Sequence, residues 1–152
     1  MFLPQMDAID QDIIRLLHEN GRMSYSKIGE LLSLSRVAIQ KRVDALIEDG
    51  IIENFTVRLN AARLGKFVSA FFEVEVEPRF VEQAGDLLSR EPEVISIYQM
   101  TGPSLLHMHA LLQDERALEQ FLFKKIYVLE GIVGVNTHMV IRRFKQGTGL
   151  EL

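Results

Sequence analysis

One pattern recurs three times in the first fifty residues: a side chain suited to capping a helix, an apolar stripe at helical spacing, and a stop. Asp7 precedes Ile9, Ile13, Leu16 and Leu17, with Gly21 as the stop. Ser24 precedes Ile28, Leu31 and Leu32, and the polar Ser33 ends that run. Ser35 precedes Ile39, Val43, Leu46 and Ile47, which Asp49-Gly50 terminates. Helices this short do not stand alone, so the three must bury their stripes against one another.

After Gly50 the period changes. Residues 51–59, rich in β-branched side chains, predict one or two short strands forming a wing, and Asn60 to Gly65 a linker. Strand and helix signals then alternate. Strands are expected over Phe67–Val76, Val94–Met100, Leu105–Leu112 and within Gly131–Phe144, and helices over Phe80–Arg90 and Arg116–Leu129. The order β-α-β-β-α-β is the ferredoxin-like split unit, four antiparallel strands with both helices on one face. The reading is an α+β chain: a helix-turn-helix domain over residues 1–50, a strand and linker over 51–66, and a ferredoxin-like domain over 67–152.

Both sides of that sheet are too apolar for water. Val68, Ala70, Phe72 and Val74 suit the side beneath the helices, but Phe67, Ser69 and Phe71 occupy the other before Glu73 and Glu75 turn it acidic. On the third strand Leu105, His107, His109 and Leu111 likewise oppose Leu106, Met108, Ala110 and Leu112. A face of this kind predicts a second subunit laid against it, sheet on sheet.

Composition narrows the functions. The 152 residues carry 17 basic and 21 acidic side chains, a net charge of −4, so contact with nucleic acid must rest on a local patch. With no cysteine, disulfide scaffolds, thiolate zinc sites, iron–sulfur clusters and cysteine nucleophiles are excluded. No apolar run suits a membrane helix and no export signal is evident, so a cytoplasmic protein without a membrane partner is expected.

The patch lies in the second and third helices. A helix-turn-helix needs a short first helix, a tight turn, and a second helix whose outward side reaches base edges in the major groove. Gly29 is small where the two helices come closest, and Ser33-Leu34-Ser35 forms the turn. With Ile39, Val43, Leu46 and Ile47 inward, Val37, Lys41 and Asp44 lie opposite and Arg36 and Gln40 on the leading edge. Arg36, Lys41 and Gln40 can hydrogen-bond guanine or adenine edges, and Val37 can pack on a thymine methyl. Ser24, Tyr25 and Lys27 are placed to hold phosphate at the start of the preceding helix, and Ser35 and Arg42 complete the candidate DNA-contacting set.

Met6-Asp7-Ala8-Ile9-Asp10, Asn20-Gly21-Arg22-Met23-Ser24-Tyr25, Leu34-Ser35 through Lys41-Arg42-Val43, and Leu46 to Glu48-Asp49-Gly50-Ile51-Ile52 resemble the Lrp/AsnC family of transcriptional regulators. The resemblance continues through Leu64-Gly65, Glu93-Val94, Thr101-Gly102 and Glu130-Gly131-Ile132-Val133 and covers nearly the whole chain. It implies an N-terminal helix-turn-helix that reads double-stranded DNA at pseudo-palindromic sites. The second module, often called RAM, would form a homodimer, assemble to a tetramer or octamer, and take an amino-acid effector. Thr101, Gly102 and Ser104 become effector-loop candidates. Two positions depart from the family pattern. Arg36 stands where many members have proline. Leu105 stands where effector-binding members often place an aspartate, and leucine cannot meet an ammonium group.

Other chemistry finds little support. His107 and His109 share one side of a strand, but without cysteine or a nearby carboxylate motif no metal site is expected, and these rings are assigned to the subunit interface. No phosphate loop, serine elbow or paired-carboxylate motif is present, so neither enzyme activity nor a cofactor is expected. The rival reading is a small-molecule sensor or protein-interaction module that does not bind DNA. Against it, the outward side of the third helix is polar rather than apolar.

Overall fold

The computed structural model describes residues 6–102 and 105–145. They fall into two compact units, one running to Arg58 and the other starting at Leu59. Among the described residues no helix is long and apolar enough to cross a membrane.

The first unit contains α1 (Ala8–Glu19), α2 (Tyr25–Leu32) and α3 (Arg36–Glu48). Each begins on the cap its sequence supplies: the side chains of Asp7, Ser24 and Ser35 accept the backbone N–H groups of Asp10, Lys27 and Ala38. The Asp10 carboxylate also accepts the Asp7 N–H, closing a reciprocal capping box. Ile13, Leu17, Ile28, Ile39, Val43 and Leu46 form the buried core. Leu31 and Ile47, expected in the stripes, are instead exposed, because this core is filled from one narrow arc of each helix.

Residues 51–59 do not form the expected wing strands. Ile51 and Ile52 both donate to the Leu46 carbonyl and pack on the helical core, so they finish α3 rather than start a strand. Residues 53–59 are assigned to no strand, and Phe55, Val57 and Leu59 are exposed. An extended segment becomes a strand only when another strand takes up its backbone hydrogen bonds.

The second unit contains β1 (Val68–Val76), α4 (Val81–Ser89), β2 (Val94–Gln99), β3 (Leu105–Leu112), α5 (Glu115–Phe121) and β4 (Ile132–Met139). The sheet order is β2-β3-β1-β4, and all three pairings are antiparallel. Ala70, Phe72, Val74 and Val76 of β1 and Leu106, Met108, Ala110 and Leu112 of β3 are buried on one side with Val81, Ala84, Leu88, Phe121 and Ile126. Gly131 turns the chain into β4 at a φ of +82°, where a Cβ would lie 2.2 Å from the Phe80 ring.

The helix expected over 116–129 is shorter and interrupted. Asp114 caps α5 by accepting the Ala117 N–H, and after Phe121 the chain widens into a π-turn over Leu122–Ile126. The wider turn brings Phe121 and Ile126, five residues apart, to the same core, which 3.6-residue spacing does not. Phe123, Tyr127 and Val128 are left exposed.

On the opposite side of the sheet, side chains align in cross-strand rows. Ser96, His109, Phe71 and His138 share one row, and Tyr98, His107, Glu73 and Asn136 the next. The Phe71 ring stacks on His109 at 4.4 Å and on His107 at 5.5 Å, and Ser69 Oγ lies 2.8 Å from His109 Nε2. β1 stands between β3 and β4, so His138 lies across Phe71 from His109 rather than beside it. No group of three metal-ligating side chains occurs among the described residues.

Burial holds the His109 pKa below its ordinary 6.5, reinforced by the positive charges of Arg143 and His107. The unfolded chain therefore takes up this proton first as pH falls. The stabilising contribution of neutral His109 should be complete above pH 6.5 and decline as pH drops from 6.5 toward the lower folded-state value. Urea unfolding from pH 8 to pH 5 should show this decline, and His109→Asn should flatten it.

Candidate nucleic-acid interface

The turn between α2 and α3 is built by backbone contact. Ser33 adopts the left-handed conformation (φ 57°, ψ 38°), and the Leu34 N–H donates to the Gly29 carbonyl at 2.8 Å. Gly29 is buried in α2, and a Cβ there would stand 2.5 Å from the Leu34 carbonyl oxygen. Glycine lets the chain fold back immediately, so only three residues separate α2 from α3.

With Ile39, Val43 and Leu46 buried, α3 turns Arg36, Val37, Gln40, Lys41 and Asp44 to solvent. Val37 is 60% exposed, which leaves its methyl groups able to meet a thymine methyl. Arg36 and Lys41 pair with no carboxylate among the described residues, so their charge is open to a polyanion. Ser24 and Ser35 are exposed caps whose hydroxyl oxygens are occupied by Lys27 N–H and Ala38 N–H. Tyr25 is half-buried against the helical core, and the Lys27 ammonium pairs with Glu30 at 2.9 Å.

Arg42 differs from its neighbours. Its Nη1 donates to Asp7 Oδ2 at 2.8 Å and to Asp10 Oδ1 at 2.7 Å, joining α3 to the first turn of α1. The Asp10 N–H and the Arg42 guanidinium together hold the Asp7 carboxyl below its ordinary pKa, and the two carboxylates hold the Arg42 pKa above its own. The partners lie 35 and 32 residues away, a pairing no local sequence signal announces.

In the second unit Thr101 and Gly102 are exposed at the turn between β2 and β3, with Gly102 at φ +117°. Ser104 lies outside the described residues. Leu105 is half-buried at the start of β3, and its carbonyl accepts the Met100 N–H at 2.9 Å.

Residues 6–47 match the AsnC-type helix-turn-helix domain, and residues 69–150 match the Lrp/AsnC ligand binding domain. The chain belongs to the Lrp/AsnC family. It is 35% identical to the HTH-type transcriptional regulator Ptr1 of Methanocaldococcus jannaschii over 97% of this chain and 99% of that protein. Among solved structures it is similar to Escherichia coli AsnC, with a TM-score of 0.88 and 23% identity over 95% of this chain and 97% of that one. It is equally similar to the Neisseria meningitidis regulator NMB0573 solved with L-Met, at a TM-score of 0.89 and 23% identity over 97% of both chains. As an Lrp/AsnC protein it is a DNA-binding transcriptional regulator whose helix-turn-helix is α2–α3.

Gly29→Ala should force the turn open, since the atom in its way is backbone and cannot rotate aside. We expect a loss of about 1–3 kcal/mol in urea unfolding of the helical unit, in the range of other overpacking substitutions.

Proposed function

We propose that this regulator reads a pseudo-palindromic duplex as a homodimer, with Arg36, Val37, Gln40 and Lys41 of each α3 entering successive major grooves. The exposed polar side of α3, pressed outward by a fully buried underside, carries this reading. Two-fold symmetry would set the recognition helices about one helical turn apart. Ser24, Tyr25, Lys27 and Ser35 lie at the helix starts, where free N–H groups favour phosphate. Arg42 is directed at α1 instead.

One observation supports the homodimer. Among the described residues of the second unit, the helices pack on the side of the sheet opposite to the one bearing Phe71, His107, His109, Leu105 and Leu111. Assembly of dimers into tetramers or octamers would add avidity to weak single sites. As a regulator without catalytic machinery it would act by occupancy, in the cytoplasm, where its DNA lies.

An amino acid or related small molecule would bias assembly from the ferredoxin-like unit, near Thr101, Gly102 and Ser104. The similar fold of the L-Met-bound Neisseria regulator supports the class of ligand. Leu105 offers no carboxylate, so an ammonium group must be met elsewhere.

Lys41→Glu should abolish binding to duplexes from the protein's own upstream region in mobility-shift assays, while light scattering shows the dimer retained. Unchanged binding would refute the assignment of α3. Few free amino acids should raise the melting temperature, and stabilisation by many would show that Leu105 does not restrict the ligand.

A further inference from the structure

The bridge between α1 and α3 divides its oxygens cleanly. Asp7 Oδ1 accepts the Asp10 N–H and Asp10 Oδ2 accepts the Asp7 N–H, which starts α1. The remaining oxygens, Asp7 Oδ2 and Asp10 Oδ1, both receive Nη1 of Arg42. Each of the four oxygens thus has a donor, and the Asp10 side chain is only 16% exposed. The rest of the α1–α3 contact is apolar, made by Ile13 and Leu17 against Ile39, Val43 and Leu46. Apolar contact is non-directional and tolerates a helix turning about its axis, whereas charge-assisted hydrogen bonds fix an angle. Successive helix residues are separated by about 100° of rotation, so a fraction of that turn carries Gln40 and Lys41 off a base edge.

We propose that Arg42 is a positioning residue for DNA recognition: by bridging Asp7 and Asp10 it sets the rotation of α3, and hence the aim of Arg36, Gln40 and Lys41. This rests on the reading of α3 as the recognition helix. Its charge is spent on two carboxylates, so the Asp7–Arg42–Asp10 group carries a net −1 and offers phosphate no attraction.

The alternative role, a phosphate contact, predicts the opposite sign for one variant. Asp7→Asn with Asp10→Asn keeps an oxygen able to cap α1, frees Arg42, and removes two negative charges. A phosphate-contacting Arg42 would then bind all DNA more tightly, with the slope of log K against log salt steeper by about 0.9. A positioning Arg42 gives the reverse. Discrimination between the preferred duplex and a scrambled one falls by at least about tenfold, the worth of one misaligned base contact. The salt slope is unchanged, and circular dichroism shows the helices retained.

Arg42 itself supplies the second arm. One nitrogen serves both carboxylates, so the ammonium of Arg42→Lys can replace it, whereas Arg42→Gln brings a shorter, neutral amide with no charge to offset the two carboxylates. Discrimination is expected to survive Arg42→Lys and to fail in Arg42→Gln, measured on the full chain by fluorescence anisotropy. Full discrimination in Arg42→Gln, or tighter binding with a steeper slope in the Asp7→Asn, Asp10→Asn protein, overturns the proposal. Wild-type protein that prefers no duplex overturns the recognition-helix reading and the proposal together.

Discussion

The close approach of α2 and α3 at Gly29 is the constraint on which the DNA-reading unit depends. Two helices joined by three residues have little freedom in their mutual angle, and here the joint is a backbone contact rather than side-chain packing. The left-handed Ser33 reverses the chain, the Leu34 N–H closes on the Gly29 carbonyl, and Ser35 caps α3 at once. Three consecutive residues therefore end one helix, turn, and begin the next. The joint sets the mutual angle of α2 and α3, and burial of Ile39, Val43 and Leu46 leaves the other side of α3 facing outward.

The sheet unit obeys a different rule with a similar consequence. Period-two alternation on the central strands β1 and β3 sends Phe72 and Met108 under the helices and Phe71 and His109 to the other side. A one-residue slip would exchange those faces, so the core side specifies the register. The opposite side follows automatically. Its cross-strand rows bring aromatic and imidazole rings together, and burial there lowers the His109 pKa.

Much of this was legible in the sequence, for local reasons. Asp7, Ser24 and Ser35 marked three helix starts because capping is decided within four residues. The four strands and their order followed from alternation and from the compact ways of joining β-α-β-β-α-β. What stayed hidden depends on distant partners. Ile51 and Ile52 have strand-like side chains, but the Leu46 carbonyl takes both N–H groups, and nothing local distinguishes those outcomes. The π-turn at Leu122–Ile126 answers to where Phe121 and Ile126 must meet the core, not to the propensity of the segment. Arg42 looked like one more cation on a basic edge until its partners, more than thirty residues earlier, came into place.

That reassignment changes the electrostatics of recognition. Lys27 is paired with Glu30 and Arg42 with Asp7 and Asp10, so Arg36 and Lys41 carry the unpaired positive charge of α3. On a chain with a net charge of −4, reading by two such cations per helix would give a weak non-specific attraction and a shallow salt dependence. A protein so disposed would spend little time held on random DNA. Its selectivity must come from the aim of a few groups, Gln40 and Val37 among them, and from several copies binding together. Geometry then matters more than charge. A guanidinium that fixes the angle of α3 contributes more to such a reader than one additional hand on the phosphate backbone.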